Sequence, residues 1–284
     1  MTSKRTSDSP PLRKPDWIRV RVGSGGECRR LRELVSRQRL HTVCTEAMCP
    51  NLGTCWEHGR ATLMILGDAC SRSCRFCGVR HECTGQADTG EPARVAEAVC
   101  TMGLKDVVIT SVTRDDLPDG GAAIWAETIQ AIRASNKDVR VEVLVPDFQG
   151  REKDIDTVIA TRPDVWGHNL ETVPEIYARA RPQADYQRSL HVLARGHDAG
   201  LTAKTSVMVG LGETHEQIVT AMRDARQAGC RIFYIGQYLQ PTREHLPVAR
   251  YVPPEEFKQF RREGLALGFD VVVSAPLVRS SYHT

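Results

Sequence analysis

The chain has 284 residues, enough for one large domain with a substantial core or for two small ones. A formal net charge of +3 and 6% aromatic residues supply neither the electrostatic footprint nor the stacking surfaces of a nucleic-acid binder, and no apolar run approaches the ~18 residues of a membrane span. Residues 1–14 are polar and lack the apolar centre of a secretory signal, so they read as a disordered tail on a cytoplasmic protein whose ten cysteines are reduced thiols or metal ligands.

Residues 14–20 end the tail and read as a short strand or arm. Leu31, Leu34 and Val35 recur at helical spacing among arginines, predicting an amphipathic helix over 27–40 whose charged side faces water. Cys44, Cys49 and Cys55 follow in a stretch broken by Pro50 and Gly53, where turn-rich backbone suits a metal-wrapping loop. An apolar run over 61–66 predicts a buried strand, and Cys70, Cys74 and Cys77 come directly after it. Strands at 106–111, 139–145, 164–168, 203–209, 231–235 and 270–273 then alternate with helical patterns at 93–102, 122–133, 155–160, 173–180, 188–199, 216–228 and 255–267. Near-continuous apolar strands in such alternation predict the α/β class with a parallel sheet. The count fits a partial (β/α)6-type TIM barrel over 59–274, with an N-terminal extension over 15–58 and a short C-terminal segment over 275–284. A doubly wound strand order is the alternative.

In such a barrel the loops after the strands share one mouth. Polar clusters fall there at 110–121, 146–148, 168–172, 210–213 and 237–242. Each also has a plain structural reading. The stretch 110–121 serves equally as a capped glycine-rich loop, His168 and Asn169 as caps for the next helix, and 210–213 as a turn only loosely like a nucleotide-binding one. Arg279-Ser280-Ser281-Tyr282 reads as a frayed end.

The cysteines carry the chemistry. Zinc and cubane iron-sulfur sites take four protein ligands, so Cys70, Cys74 and Cys77 either borrow a distant fourth or leave one metal position open. Gaps of three and two residues are unusual for a zinc ribbon, which shows paired C-x2-C elements, and favour iron-sulfur. Gaps of four and five at Cys44, Cys49 and Cys55 leave structural zinc as the competing reading there. Cys28, Cys83, Cys100 and Cys230 are spare thiols.

The C-x3-C-x2-C stretch resembles the cluster motif of radical S-adenosylmethionine enzymes. Together with the second triplet, fifteen residues upstream, and the closing Arg279-Ser280-Ser281-Tyr282, it makes residues 14–282 similar to the lipoyl synthase family. The stretches 43–56, 110–122, 168–172, 186–190, 208–213 and 235–242 are similar too. Val79-Arg80-His81-Glu82 departs from the family, which often has a small residue, histidine and glycine there.

The resemblance implies two 4Fe-4S clusters. Cys70, Cys74 and Cys77 would hold one whose open iron binds S-adenosylmethionine; its reductive cleavage gives a 5'-deoxyadenosyl radical. Cys44, Cys49 and Cys55, with Ser281 rather than Ser280 as fourth ligand, would hold an auxiliary cluster consumed as sulfur source. Asn169, Glu171, Arg188 and Glu213 would contact S-adenosylmethionine, and no acid or base beyond the cluster ligands is catalytic. The reaction implied inserts sulfur at C6 and C8 of an octanoyl chain on a lysine of a lipoyl carrier, an E2 domain of the 2-oxoacid dehydrogenases or the glycine cleavage H protein. Ferredoxin or flavodoxin would donate electrons, with neither nucleic acid nor membrane as partner. Alternatives are a biotin-synthase-like enzyme, a methylthiotransferase or a non-catalytic metal-binding module.

Overall fold

The computed structural model describes residues 12–19, 25–58, 60–82 and 85–281. Most of the expected N-terminal tail, together with Cys83 and Tyr282, lies outside them. Residues 14–19 form a turn and irregular backbone, not a strand, with Ile18 buried.

Helix α1 (Gly26–Arg37) buries Cys28, Leu31 and Leu34 and leaves Arg29, Arg32 and Arg37 in water. It stops short of residue 40 because Arg39 takes a left-handed φ of 51° and the Leu40 N–H turns back to the Val35 carbonyl at 2.9 Å. Strand β1 (His41–Thr42), α2 (Val43–Glu46) and α3 (Leu52–Glu57) complete the extension. The Thr42 side chain caps α2 by accepting the Thr45 N–H at 3.2 Å. Cys28 and Leu31 pack with Cys44 and Trp56, fixing α1 on the first cysteine loop.

The barrel begins with β2 (Thr62–Ile65), which pairs antiparallel with β1 and so stitches the extension to its edge. Two short strands, β3 (Ala69–Cys70) and β4 (Arg80–His81), pair across the base of the second cysteine loop. The chain continues through α4 (Glu91–Met102), β5 (Asp106–Ser111), α5 (Ala122–Ser135), β6 (Arg140–Leu144), α6 (Glu152–Ile159) and β7 (Val165–Gly167). Then come α7 (Pro174–Ala180), α8 (Tyr186–Asp198), β8 (Thr202–Val209), α9 (His215–Gln227), β9 (Ile232–Gln237), α10 (Pro254–Ala266) and β10 (Val271–Ser274).

The large sheet runs β1-β2-β5-β6-β7-β8-β9-β10, with every pair after the first parallel. A doubly wound sheet reverses direction at a switch point, and this order never does. β1 and β10 remain edges, so the fold is an open barrel of six β/α units ending on β10. Ile109, Val141 and Val143 are wholly buried, and each such side chain stabilises by roughly 1.5–3 kcal/mol.

After β10 the chain becomes a strap over the C-terminal ends of the strands. The Gln237 N–H donates to the Pro276 carbonyl at 3.1 Å, and Asn51 Nδ2 donates to the Leu277 carbonyl at 2.6 Å. A Cβ at Gly236 would lie 2.0 Å from the Val278 carbonyl oxygen, so only glycine lets the strap sit this low. Asn169 Nδ2 holds the chain as far as Ser280, at 3.1 Å from its Oγ, contrary to the frayed end expected from its polarity.

Candidate active site

Cys70 leaves β3 at the mouth, and its Sγ accepts the Thr113 N–H at 3.3 Å. The rest of the loop is pinned from three sides. Ser71 Oγ donates to the Thr113 carbonyl and accepts the Asp115 N–H, both at 2.9 Å. The Arg75 N–H donates to the Ala180 carbonyl at 2.8 Å, while the Arg75 carbonyl accepts from the Leu246 N–H at 2.9 Å. His245 Nε2 donates to the Cys77 carbonyl at 2.9 Å. The stretch 110–121 thus clamps the cysteine loop, and Asp119 also caps α5 through the Gly121 and Ala123 N–H groups.

Arg72 turns under the loop into the barrel. Its Nε and Nη2 meet Asp115 at 2.6 and 3.0 Å, and its Nη1 and Nη2 meet Asp147 at 2.9 and 2.6 Å. The Asp147 side chain is wholly buried. Burial alone would raise its carboxyl, but the hydrogen bonds and charge of Arg72 hold it well below the usual range. Arg188 Nη1 approaches the same carboxylate at 3.4 Å.

His168 follows β7 and does not cap a helix. Its Nδ1 donates to the Val145 carbonyl at 2.8 Å, since a carbonyl can only accept. Burial, aided by the Arg181 charge, pushes the imidazole down to about 4, so it is neutral at pH 7. Asn169 Nδ2 donates to Glu171 Oε1 at 2.9 Å and to Ser280 Oγ at 3.1 Å, joining the barrel loop to the strap. Glu171 has a left-handed φ of 67° yet bonds β8 on both sides, its N–H to the Ser206 carbonyl and its carbonyl to the Met208 N–H. Such a conformation costs of order 1–3 kcal/mol and persists where surroundings enforce it. Burial raises its carboxyl, and the Arg181 charge opposes the rise.

Of the four residues expected at S-adenosylmethionine, Asn169 and Glu171 are bonded together and Arg188 joins the Asp147 network. Glu213 does otherwise: its oxygens accept the Gly210 and Leu211 N–H groups of its own turn at 2.5 and 2.9 Å. Arg181 had no signal in the sequence pattern. It donates to the Asn169 and Leu170 carbonyls at 3.0 and 3.2 Å and lies 5.3 Å from the Tyr177 ring centroid. Its charge also bears on Cys74.

The upstream triplet forms a second centre. Cys44 on α2, Cys49 in the intervening turn and Cys55 on α3 line one cavity together with Asn51, Arg279 and Ser281. Ser280, the neighbour that accepts from Asn169, is not among its lining residues. All six triplet cysteines are free thiols. Burial pushes Cys55 up to about 11, with Cys44 and Cys49 adding to the rise. It likewise takes Cys77 up to about 12, with Cys74 and Cys70 contributing further. Sulfurs that oppose one another's ionisation in this way are what a shared cationic centre would reverse. Among the described residues no group of three or more His, Cys, Asp or Glu side chains could hold a metal ion as it stands. Three thiols at each site are the donor set by which clusters are held.

Residues 64–225 match the family model of the Radical SAM superfamily. Methylornithine synthase, PylB, aligns in structure with a TM-score of 0.55 over 92% of this chain and 86% of its own, at 12% identity, a likeness of fold. An open parallel barrel with a C-x3-C-x2-C loop pinned at its mouth is the architecture of a radical S-adenosylmethionine enzyme, with the 4Fe-4S cluster and S-adenosylmethionine that this class uses. The lipoyl synthase of Methylococcus capsulatus is 54% identical over 276 residues, covering 96% of this chain and 86% of that protein. That of Chlorobium phaeovibrioides is 52% identical over 273 residues, covering 95% and 96%. The chain belongs to the lipoyl synthase family. No helix among the described residues is long and apolar enough to cross a membrane.

Proposed function

We propose that the protein inserts two sulfur atoms at C6 and C8 of an octanoyl chain held in amide linkage on a lysine of a carrier protein. The observation that carries this reading is the convergence of Cys44, Cys49, Cys55 and Ser281 on one cavity, beside a mouth already furnished with Cys70, Cys74 and Cys77. Cys70, Cys74 and Cys77 would hold the cluster that supplies an electron for cleavage of S-adenosylmethionine, radical chemistry that would reach C–H bonds too weakly acidic for any side chain. The auxiliary cluster is the sulfur-bearing substrate. Identity above half over nearly the whole length favours this over a biotin-synthase-like enzyme, a methylthiotransferase or a non-catalytic module.

The chain's own residues then divide the work. Arg72, Asp115 and Asp147 hold the radical loop in register. Asn169 and Glu171 offer an amide and a carboxylate to a polar ligand, and Arg188 stands behind them on Asp147. Glu213 shapes the turn after β8, so any contact it makes with the adenosyl group is through that turn. The strap closes the mouth, keeping water from a radical. The carriers are E2 domains or the H protein, and the reductant is a ferredoxin or flavodoxin.

Ser281→Ala tests the reading. Cleavage of S-adenosylmethionine continues, measured as 5'-deoxyadenosine, while lipoyl product on an octanoylated carrier domain disappears. Unchanged product would remove Ser281 from the site.

A further inference from the structure

Arg279 is the least explained charge near the site. It lines the cavity of the upstream triplet with Ser281, and its only hydrogen bond among the described residues runs from Nη1 to the Val278 carbonyl at 2.6 Å. A guanidinium has five N–H donors, so most of this one is unspent. No carboxylate forms an ion pair with it among the described residues, although eleven other arginines, Arg72, Arg114 and Arg250 among them, have theirs. Its electrostatic neighbours are Cys49 on one side and Glu171 on the other. Half-buried and without a direct ion pair, the guanidinium leaves donors and charge that an anion in the cavity would take up.

The cavity would provide that anion. Three thiolates and an alkoxide around a 4Fe-4S core carry net negative charge, and Arg279 is already in place to balance it. Arg279 also sits on the strap, whose other ties are single hydrogen bonds: Ala275 to Ile235, Gln237 to Pro276, Asn51 to Leu277 and Asn169 to Ser280. We infer that Arg279 is a positioning residue that latches the strap to the auxiliary cluster, so that the strap is held shut while the cluster is present and loosens once it has been consumed. The inference rests on the proposed function. Its consequence is that spending the sulfur leaves a half-buried cation short of the anion it faced, on a segment that lines the cavity, and opening that segment exposes the three thiols for rebuilding.

The test compares full-length wild type, Arg279→Gln and Arg279→Lys, each reconstituted anaerobically with iron and sulfide, and reads two quantities other than activity. One is the rate at which a chelator removes iron. The other is hydrogen exchange of the amides in 275–281, with and without clusters. In wild type, loss of the auxiliary cluster speeds exchange across the strap by at least about tenfold, as for a charge that loses its partner. Arg279→Gln releases the auxiliary iron at least about tenfold faster, keeps the other cluster, and narrows the difference in strap exchange between the two states. Arg279→Lys, which retains the charge, restores most of both effects. Equal iron release and equal exchange in Arg279→Gln and wild type would overturn the latch. A wild type that takes up only one cluster would instead overturn the two-cluster reading beneath it.

Discussion

The two cysteine triplets are built to different standards. The loop of Cys70, Cys74 and Cys77 is tied to three other loops by backbone hydrogen bonds and to the barrel interior by the buried Arg72–Asp147 pair. The triplet of Cys44, Cys49 and Cys55 rides on two helices of four and six residues and is covered by a strap held through single hydrogen bonds. Rigid support suits a centre that must return unchanged after each turnover. Under the proposed function the upstream centre is dismantled and rebuilt, and light support suits that, because opening it disturbs little else.

The sharpest way to break the contrast is Arg72→Met. It leaves the buried Asp147 carboxylate with only the longer 3.4 Å contact to Arg188, and removing one member of a buried pair costs about 3–5 kcal/mol. Urea unfolding of the cluster-free protein should show a loss of that order; a change under about 1 kcal/mol would mean that the pair does not support the loop.

Next in size is a pH effect at His168. Its imidazole is depressed to about 4 by burial, below the roughly 6.5 of an unfolded histidine, so the unfolded chain takes up the proton first. Stability is therefore full above pH 6.5 and falls as the pH drops towards 4, by up to about 3 kcal/mol. Asp147 contributes in a lower window, because its folded-state carboxyl is depressed and its stabilisation is lost only as pH falls through and below the ordinary carboxylate range. His168→Gln should flatten the curve between pH 6.5 and 4 and leave the lower limb. An unchanged slope would assign the upper window to another group.

The smallest effect tests the light side of the contrast. Asn51→Ala removes one hydrogen bond to the strap, at Leu277, and should cost only about 0.5–1.5 kcal/mol. It should nevertheless speed proteolysis near the C-terminus. Global destabilisation as large as that of Arg72→Met would show the strap to be as firmly built as the radical loop.

Much of this was legible from spacing. Cysteines three and four apart must share a loop, and apolar runs alternating with helical patterns leave few options beyond parallel sheet. The strand order was not legible, since βα alternation suits both an open barrel and a doubly wound sheet. Nor was the support of the site. Arg72 and Asp147 are 75 positions apart, and nothing local marks Asp147 as a partner instead of a turn residue. Arg181 lies in a polar run where any arginine would pass as solvated. Glu213 shows the converse: a carboxylate after a barrel strand invites a ligand role, yet both its oxygens close its own turn. The strap was least legible from pattern, because polar residues at a chain end carry no periodicity to say that 279–281 return to the mouth.

The division of labour between the triplets is tested most directly by isotope. The protein is reconstituted with heavy-isotope sulfide, transferred to medium free of sulfide, and given S-adenosylmethionine, reductant and an octanoylated carrier domain for one turnover; the carrier is then weighed by mass spectrometry. The expected product carries two heavy sulfurs, Cys49→Ala yields 5'-deoxyadenosine but no lipoyl product, and Cys74→Ala yields neither. Lipoyl product from Cys49→Ala, or light sulfur in the product of the wild type, would contradict the assignment of the upstream triplet as the source.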